Sequence, residues 1–265
     1  MNFLPILHSL VFPQAAALLR EPTPLPPEEM EQILARSAQI DGFLFGREPV
    51  ALLHLAHRML ARCPGKGAVV EIGSFRGKST VLLAATAKRS QGVVVCVDPF
   101  MGSPEHAALL AGSSTYPQFE ENLRDFLTQG IVRPVRLPSD DAIAQVPEVL
   151  VGRTVTFLFI DGLHTYEQVK RDFDNYFPLL ADGGVVAFHD TAGSHPGSTR
   201  FVLEIARHHP DTADFNLTGT LTYCTKKRRA RADAWNARRY CTAVWLFLAL
   251  QGRLQQLSDP ALDVH

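Results

Sequence analysis

Hydrophobic positions change their period about a quarter of the way along the chain. Up to about residue 60 they recur at helical spacing between proline breaks. "PTPLPPEEMEQIL" has a proline-rich lead-in and then Glu28 and Glu29, acids in the first turn that a helix N-terminus favours. In Arg47–Cys63, Val50, Leu53, Ala56 and Leu60 fall on one helical face, and Pro64, Gly65 and Gly67 stop the helix.

Beyond that point short apolar runs alternate with amphipathic ones. "AVVEIG", "GVVVCVD", "VRPVRL", "TVTFLFID" and "GGVVAFHD" read as strands. "KSTVLLAATAKRS", "YPQFEENLRDFLTQG", "DAIAQVPEVL", "TYEQVKRDFDNYFPLL" and "STRFVLEIARHH" read as the helices between and after them. Thr165, with Gln168 three positions on, predicts a capping box at one helix start. Strands apolar on both faces, alternating with helices, imply an α/β fold with a parallel sheet covered on both sides. "ADFNLTGTLTYCTKK" then alternates threonine with aromatic residues around Gly219 and predicts a hairpin that adds an antiparallel edge. A last helix is predicted over about Asp233–Leu257, too apolar to be wholly solvated. It suits packing on the body or on a second copy, so a homodimer is an expectation.

The chemistry concentrates at strand ends. GSFRGKST superficially matches a phosphate-binding P-loop, and "FLFID" a magnesium-holding strand. A P-loop needs four residues between its glycines. Here only Ser74, Phe75 and Arg76 separate Gly73 from Gly77, and a shorter turn cannot close the same ring of N–H donors. A dinucleotide fingerprint fails too, because Phe75 stands where its second glycine belongs. The segment contains Glu71-x-Gly73-x-x-x-Gly77, and the next strand ends in Asp98, placed to accept bonds from ribose hydroxyls. A glycine turn beside such a carboxylate marks a site for an adenosine group without triphosphate.

"VVEIGSFRGKST…VVVCVDPF…FLFIDGLHTYEQVKRDF…LLADGGVVAFHD" resembles a class I S-adenosylmethionine-dependent methyltransferase, in the branch with E-I-G-S-x-x-G-x-S-T and D-G-x-H-x-Y motifs. The resemblance runs from about Asp41 to Tyr223. It implies a Rossmann-like seven-stranded sheet, mostly parallel with an antiparallel last strand, with helices on both faces and helical extensions at both ends. It divides the chain into an N-terminal helical arm (1–45), a cofactor-binding domain (46–225) and a C-terminal extension (226–265). It implies S-adenosyl-L-methionine across the strand tips. Glu71, Gly73, Ser74, Phe75, Gly77 and Ser79 would serve the methionine part, Asp98 and Pro99 the ribose, and Ser139 and Asp140 the adenine, with Asp161 at the pocket edge.

Asp161 and His164 follow the fourth strand, and His189 and Asp190 end the fifth. Neighbouring strands would bring the four together, and carboxylates with imidazoles have metal-ligand chemistry. Each also has a plain structural reading as a cap or a loop partner. The resemblance, here to O-methyltransferases of macrolide sugars and similar natural products, implies Asp161 and Asp190 as metal ligands and His164 as base. His189 stands where that group has an acid, which lowers the negative charge and leaves magnesium, manganese, zinc or no metal open. An imidazole, with an unperturbed pKa near 6.5, suits a base at neutral pH. His195, in the glycine- and serine-rich "AGSHPGS", is expected to touch substrate from a mobile lid, and the loop "FMGSPEHAALLAGSS", which Tyr116 and Phe119 follow, to gate the pocket.

Composition narrows the partners. The net charge of −1 gives no general affinity for nucleic acid, and "KKRRARAD" reads as a solvated helix approach. A small-molecule acceptor is expected. The four cysteines form no zinc spacing and suit a reducing compartment. The first residues lack the charged start of a secretory signal, and "AVWLFLAL" is too short to span a bilayer, so a cytoplasmic location is expected. Two readings stand beside the O-methyltransferase: a nucleoside-triphosphate enzyme, and a non-catalytic module that keeps the cofactor pocket.

Overall fold

A computed structural model describes residues 11–21, 25–102 and 112–250. Helices α1 (Pro13–Leu18), α2 (Pro27–Gln39) and α3 (Glu48–Leu60) precede the sheet. Strand β1 (Gly67–Ile72), helix α4 (Lys78–Arg89) and strand β2 (Val93–Val97) follow. Next come α5 (Tyr116–Asn122), α6 (Arg124–Thr128), β3 (Val132–Val135), α7 (Ser139–Ala142) and α8 (Val146–Leu150). Strand β4 (Thr154–Ile160), α9 (Tyr166–Tyr176), β5 (Leu180–Phe188) and α10 (Pro196–His208) complete the alternation. The chain then forms β6 (Thr212–Thr218), β7 (Leu221–Lys226) and α11 (Arg231–Leu250).

The seven strands lie in the order β3-β2-β1-β4-β5-β7-β6. Pairs among β1 to β5 are parallel, whereas β7 runs antiparallel to both β5 and β6. The Rossmann-like α/β sheet expected from the sequence is therefore present, with its last strand, β7, antiparallel. The hairpin adds the expected antiparallel edge: β7 inserts beside β5, pairing with Val185–Phe188, and β6 closes the sheet. A hairpin read along the chain gives two strands but not which one docks.

Strand β1 is buried at every position, as a central strand covered on both faces must be. The core is continuous from Phe12 and Leu18 on the arm, through Val69, Phe157 and Val186 in the sheet, to Tyr240 and Val244 on α11. Two helices differ from expectation. The single helix over 116–130 is two, broken at Leu123, which packs toward Gly77 while the Asn122 side chain donates to the Arg76 carbonyl (2.9 Å). "DAIAQVPEVL" likewise splits into α7 and α8. Thr165 caps α9 as expected, with Gln168 N–H donating to Thr165 Oγ1 at 3.3 Å, while the Gln168 side chain turns to Ser139 and Asp172 instead of closing the box. The expected end of the last helix, beyond Leu250, lies outside the described residues. Strand order reverses between β1 and β4, where open α/β sheets place their ligands at the carboxyl ends of the strands.

Candidate active site

At that reversal the β1 turn and the β4 turn touch. Gly73 has φ +85°, and a Cβ there would lie 2.1 Å from the Asp161 carbonyl oxygen. Only glycine fits, for the conformation and for the contact. Gly77 (φ +91°) precedes α4 and faces Leu123 and Phe119. Packing against backbone requires the first glycine, and the left-handed conformation favours the second.

The glycine loop is held from both sides. Asp98, just past β2, accepts N–H bonds at Oδ2 from Ser74 and Phe75 (2.8 Å each) and at Oδ1 from Phe100 (2.5 Å). Beneath the loop, Glu71 is fully buried and accepts hydroxyl bonds from Ser74 (2.7 Å), Ser79 (2.6 Å) and Thr80 (2.5 Å). Burial pushes its carboxyl up, the three hydroxyls pull it partly back, and it settles at about 7. Glu71 and Ser79 therefore lie under the loop, while Pro99 is exposed beside it. Lys78 turns its ammonium to the Ile40 carbonyl (2.9 Å) on the arm, away from any phosphate role.

Ser139 and Asp140, both predicted near adenine, diverge. Ser139 Oγ donates to Asp172 Oδ1 (2.6 Å), whereas Asp140 faces the surface and pairs with Arg171 (3.2 Å). Asp172 is buried, and its carboxyl is pushed up to about 6 by desolvation, against the bonds from Ser139 and Gln168. Tyr116 and Phe119, which follow the loop expected to gate the pocket, pack with Phe100 at ring distances of 5.1 and 4.7 Å, and Phe119 is fully buried. Part of that loop, residues 103–111, lies outside the described residues.

The acid and histidine residues do converge. His189 Nδ1 lies 3.0 Å from Asp161 Oδ1 and 3.4 Å from Asp190 Oδ2. His164 Nε2 lies 3.6 Å from Asp161 Oδ1 and 3.4 Å from Asp190 Oδ2. His195 Nδ1 is 3.6 Å from Asp190 Oδ2, and its ring stacks on His164 at 4.2 Å. The β1–β4 and β4–β5 ladders continue past the strand ends and set this spacing: Asp161 N–H donates to the Ile72 carbonyl, and His189 N–H to the Ile160 carbonyl. Asp190 takes φ +51°, which turns its side chain toward the imidazoles, and Ser194 Oγ donates to it at 2.8 Å. The segment around His195, expected to be mobile, is a turn bonded along its length, with Gly193 N–H on Thr199 Oγ1 (3.0 Å). Gly197 sits against the His164 backbone, where a Cβ would meet the carbonyl at 2.3 Å.

One member of the cluster is not among the residues singled out in the sequence. Glu48, at the start of α3, is 3% exposed, and its Oε2 lies 3.3 Å from His189 Nε2. Its other bonds come from Phe45 N–H (2.8 Å), Thr220 N–H (2.6 Å) and Thr220 Oγ1 (3.0 Å). Along the sequence Glu48 is an ordinary first-turn acid, and no local signal separates it from Glu28 or Glu29.

Charge is mutually balanced here. Burial alone would raise Glu48 and Asp161, but together His189 with the Phe45 and Thr220 N–H groups on Glu48, and His189 with His164 on Asp161, hold the carboxyls below their usual values. Asp190 is held low in the same way, by His189 and His164. Burial would lower His189, but Asp161, Asp190 and Glu48 together push it well above the usual imidazole value. Asp161, His189 and Asp190 offer ligand atoms within 4.8 Å of one another, as do His164, Asp190 and His195. This oxygen and nitrogen donor set fits a divalent ion.

The strand order and the antiparallel last strand are those of the Rossmann-like methyltransferase fold. Residues 70–191 match the family model described as a methyltransferase domain. Among solved structures, the cofactor-bound protein Rv0187 from MTB superposes with a TM-score of 0.52 and is 21% identical, over 77% of this chain and 92% of that one. CalS11, a TDP-rhamnose 3'-O-methyltransferase of calicheamicin biosynthesis, superposes with a TM-score of 0.50 and is 18% identical, over 82% and 93%. Two curated relatives, both uncharacterized, come from Sinorhizobium fredii (29% identical over 134 residues) and Acanthamoeba polyphaga mimivirus (27% over 121). Each match covers 46% of this chain, and the chain spans only 13% and 50% of those relatives. Among the described residues no helix is long and apolar enough to cross a membrane, and all four cysteines are free.

Proposed function

We propose that the chain transfers a methyl group from S-adenosylmethionine to a hydroxyl of a small molecule, of sugar or natural-product type. The observation that carries this is the meeting of Asp161, His164, His189 and Asp190 at the β4 and β5 tips, against the Gly73 turn. The named activity of CalS11, on TDP-rhamnose, supports a hydroxylated acceptor.

S-adenosylmethionine supplies a methyl carbon on a sulfonium, open to in-line displacement. The loop around Gly73–Gly77 holds the methionine end, and Asp98 accepts from the ribose alongside the loop N–H groups. Ser139, backed by Asp172, borders the adenine. Asp161 and Asp190 would hold a divalent ion, which would make a bound hydroxyl more acidic. His164 stands 3.4–3.6 Å from those carboxylates and takes the acceptor proton at Nε2 as the new O–CH3 bond forms and the S–CH3 bond breaks. Much of the rate then comes from proximity, because the β1 and β4 turns fix the donor and acceptor sites against one another.

The test is transfer of labelled methyl from S-adenosylmethionine across a panel of hydroxylated acceptors, with stabilisation by S-adenosylhomocysteine measured in parallel. Stabilisation and transfer support the reading. Stabilisation by ATP with magnesium in place of S-adenosylhomocysteine overturns it.

A further inference from the structure

Helix α11 is apolar on two opposite faces. On one, Ala237, Tyr240, Cys241, Val244 and Leu248 recur at helical spacing and enter the core. On the other, Trp235, Thr242, Leu246 and Leu250 repeat that spacing toward solvent. Trp235, Leu246 and Leu250 are 76%, 56% and 78% exposed, and Trp245 and Phe247 beside them are exposed too. Nine large apolar side chains stand exposed among the described residues, and these five share the one helix. Scattered apolar residues need no explanation, but a contiguous stripe marks a surface that meets something.

Charge narrows what it meets. Arg231, Arg238 and Arg239 interleave with the stripe. Asp233, the one acid of the helix, accepts from Ala230 N–H (2.8 Å) and pairs with Lys227 (3.1 Å). Asp211 and Asp214, just before the helix, pair with Arg228 and Lys227. Beside the stripe, a groove of about 650 Å³ runs between α10 and α11, with Ala206, Ala237 and Cys241 along it. Arg207 lines it from α10 and Arg238 from α11. A second copy docked here by a twofold axis would set these arginines against their own counterparts, with no acid to meet them. The complement of this face is apolar and anionic at once.

We propose that α11 is a membrane-surface helix, which lies in the headgroup layer of an anionic bilayer. Trp235, Trp245, Leu246 and Leu250 enter the apolar boundary, and Arg207, Arg238 and Arg239 pair with lipid phosphates. Tryptophan and arginine suit that layer because each joins an apolar body to a polar end. An interfacial helix of this kind gains affinity from buried apolar area and from anionic lipid together. It rests on the bilayer without crossing it, since it is not long and apolar enough to span. Nothing in this surface depends on methyl transfer, so a failed acceptor panel leaves it standing.

The two tryptophans of the chain are both on α11, so intrinsic emission reports this face directly. The experiment adds vesicles to the full chain, made of phosphatidylcholine alone or mixed equally with phosphatidylglycerol, and reads emission and co-sedimentation. Mixed vesicles shift the emission to the blue and bind the chain at least about tenfold more tightly than neutral ones, and added salt weakens them. Trp245→Ser with Leu246→Ser weakens binding by about tenfold or more, with Trp235 as the remaining probe. Arg238→Glu weakens binding to mixed vesicles by about tenfold, and it tests the face if the serine pair fails to fold by circular dichroism. The proposal is overturned if mixed vesicles bind no better than neutral ones, if neither binds, or if folded variants bind unchanged. A shift produced by soluble polyglutamate and not by vesicles overturns it in favour of an acidic protein partner. Emission that moves to the red on dilution of the lipid-free chain, with a dimer in sedimentation, overturns it in favour of a second copy.

Discussion

The two halves of the site are built differently. The β1–β2 half is local: Glu71, Gly73, Ser74, Gly77, Ser79 and Thr80 lie within ten residues, and Asp98 on the next strand ties them with N–H bonds. The β4–β5 half is assembled from distant segments, with Glu48, His164, His189 and Thr220 brought to Asp161 by the sheet and by helix α3. A local half can be recognised as a motif because chain geometry alone holds it. A distant half depends on register, and its buried charges need partners that no motif names.

The largest test of the contrast is His164→Ala. Methyl transfer falls by about 10²–10⁴-fold while S-adenosylhomocysteine binding is kept, measured by labelled-methyl assay and calorimetry. Equal loss of both would show that the two halves are not separable. Next is Gly73→Ala, the point where the halves touch. A Cβ there would lie only 2.1 Å from the Asp161 carbonyl oxygen, a backbone clash, so the variant loses about 3 kcal/mol or more in urea denaturation, and binding with it. A fully stable variant would mean that the turns can part.

Glu71 gives a test confined to the local half. Its folded carboxyl titrates at about 7, above its unfolded value of 4.5, so the chain carries a neutral acid when folded and an ionised one when unfolded. The stability associated with that neutral acid is present below pH 4.5 and lost as pH rises to 7, by up to about 3 kcal/mol at 1.4 kcal/mol per unit. Glu71→Gln imitates the neutral form, so its stability relative to wild type improves between pH 5 and pH 8. Denaturant midpoints at the two values check this, and parallel curves would place the charge elsewhere. The smallest effect belongs outside both halves. Arg171→Ala removes the surface pair with Asp140 and changes stability by less than about 1 kcal/mol, with S-adenosylhomocysteine affinity unchanged. A large loss of affinity there would return Asp140 to the adenine.

The same contrast explains what could be read in advance. The parallel core, the helix cap at Thr165 and the role of glycine at residue 73 follow from periodicity and local chemistry. Asp161, His164, His189 and Asp190 were legible because each ends a strand whose neighbour could be inferred. The break at Leu123 was not legible, because the pull of Gly77 and Arg76 on that helix is tertiary. Phe119 reads as a helix residue beside the pocket loop until Phe100 is seen packed on it. The run at Lys226–Arg229 reads as solvated. In the fold Lys226 donates to the Leu180 carbonyl (2.6 Å), Lys227 pairs with Asp214 and Asp233, and Arg229 donates to the Thr212 carbonyl.

By itself, then, the sequence determined the alternation of strands and helices, the glycine turn and the carboxylates at the strand ends. These depend on side-chain period and backbone freedom, which are properties of a few consecutive residues. Only the tertiary structure decided that β7 would insert beside β5, and that Glu48 would be buried against His189. Both are matters of which surfaces pack. A carboxylate buried against an imidazole is stable only where distant backbone N–H groups converge on it, and here Phe45 and Thr220 supply them.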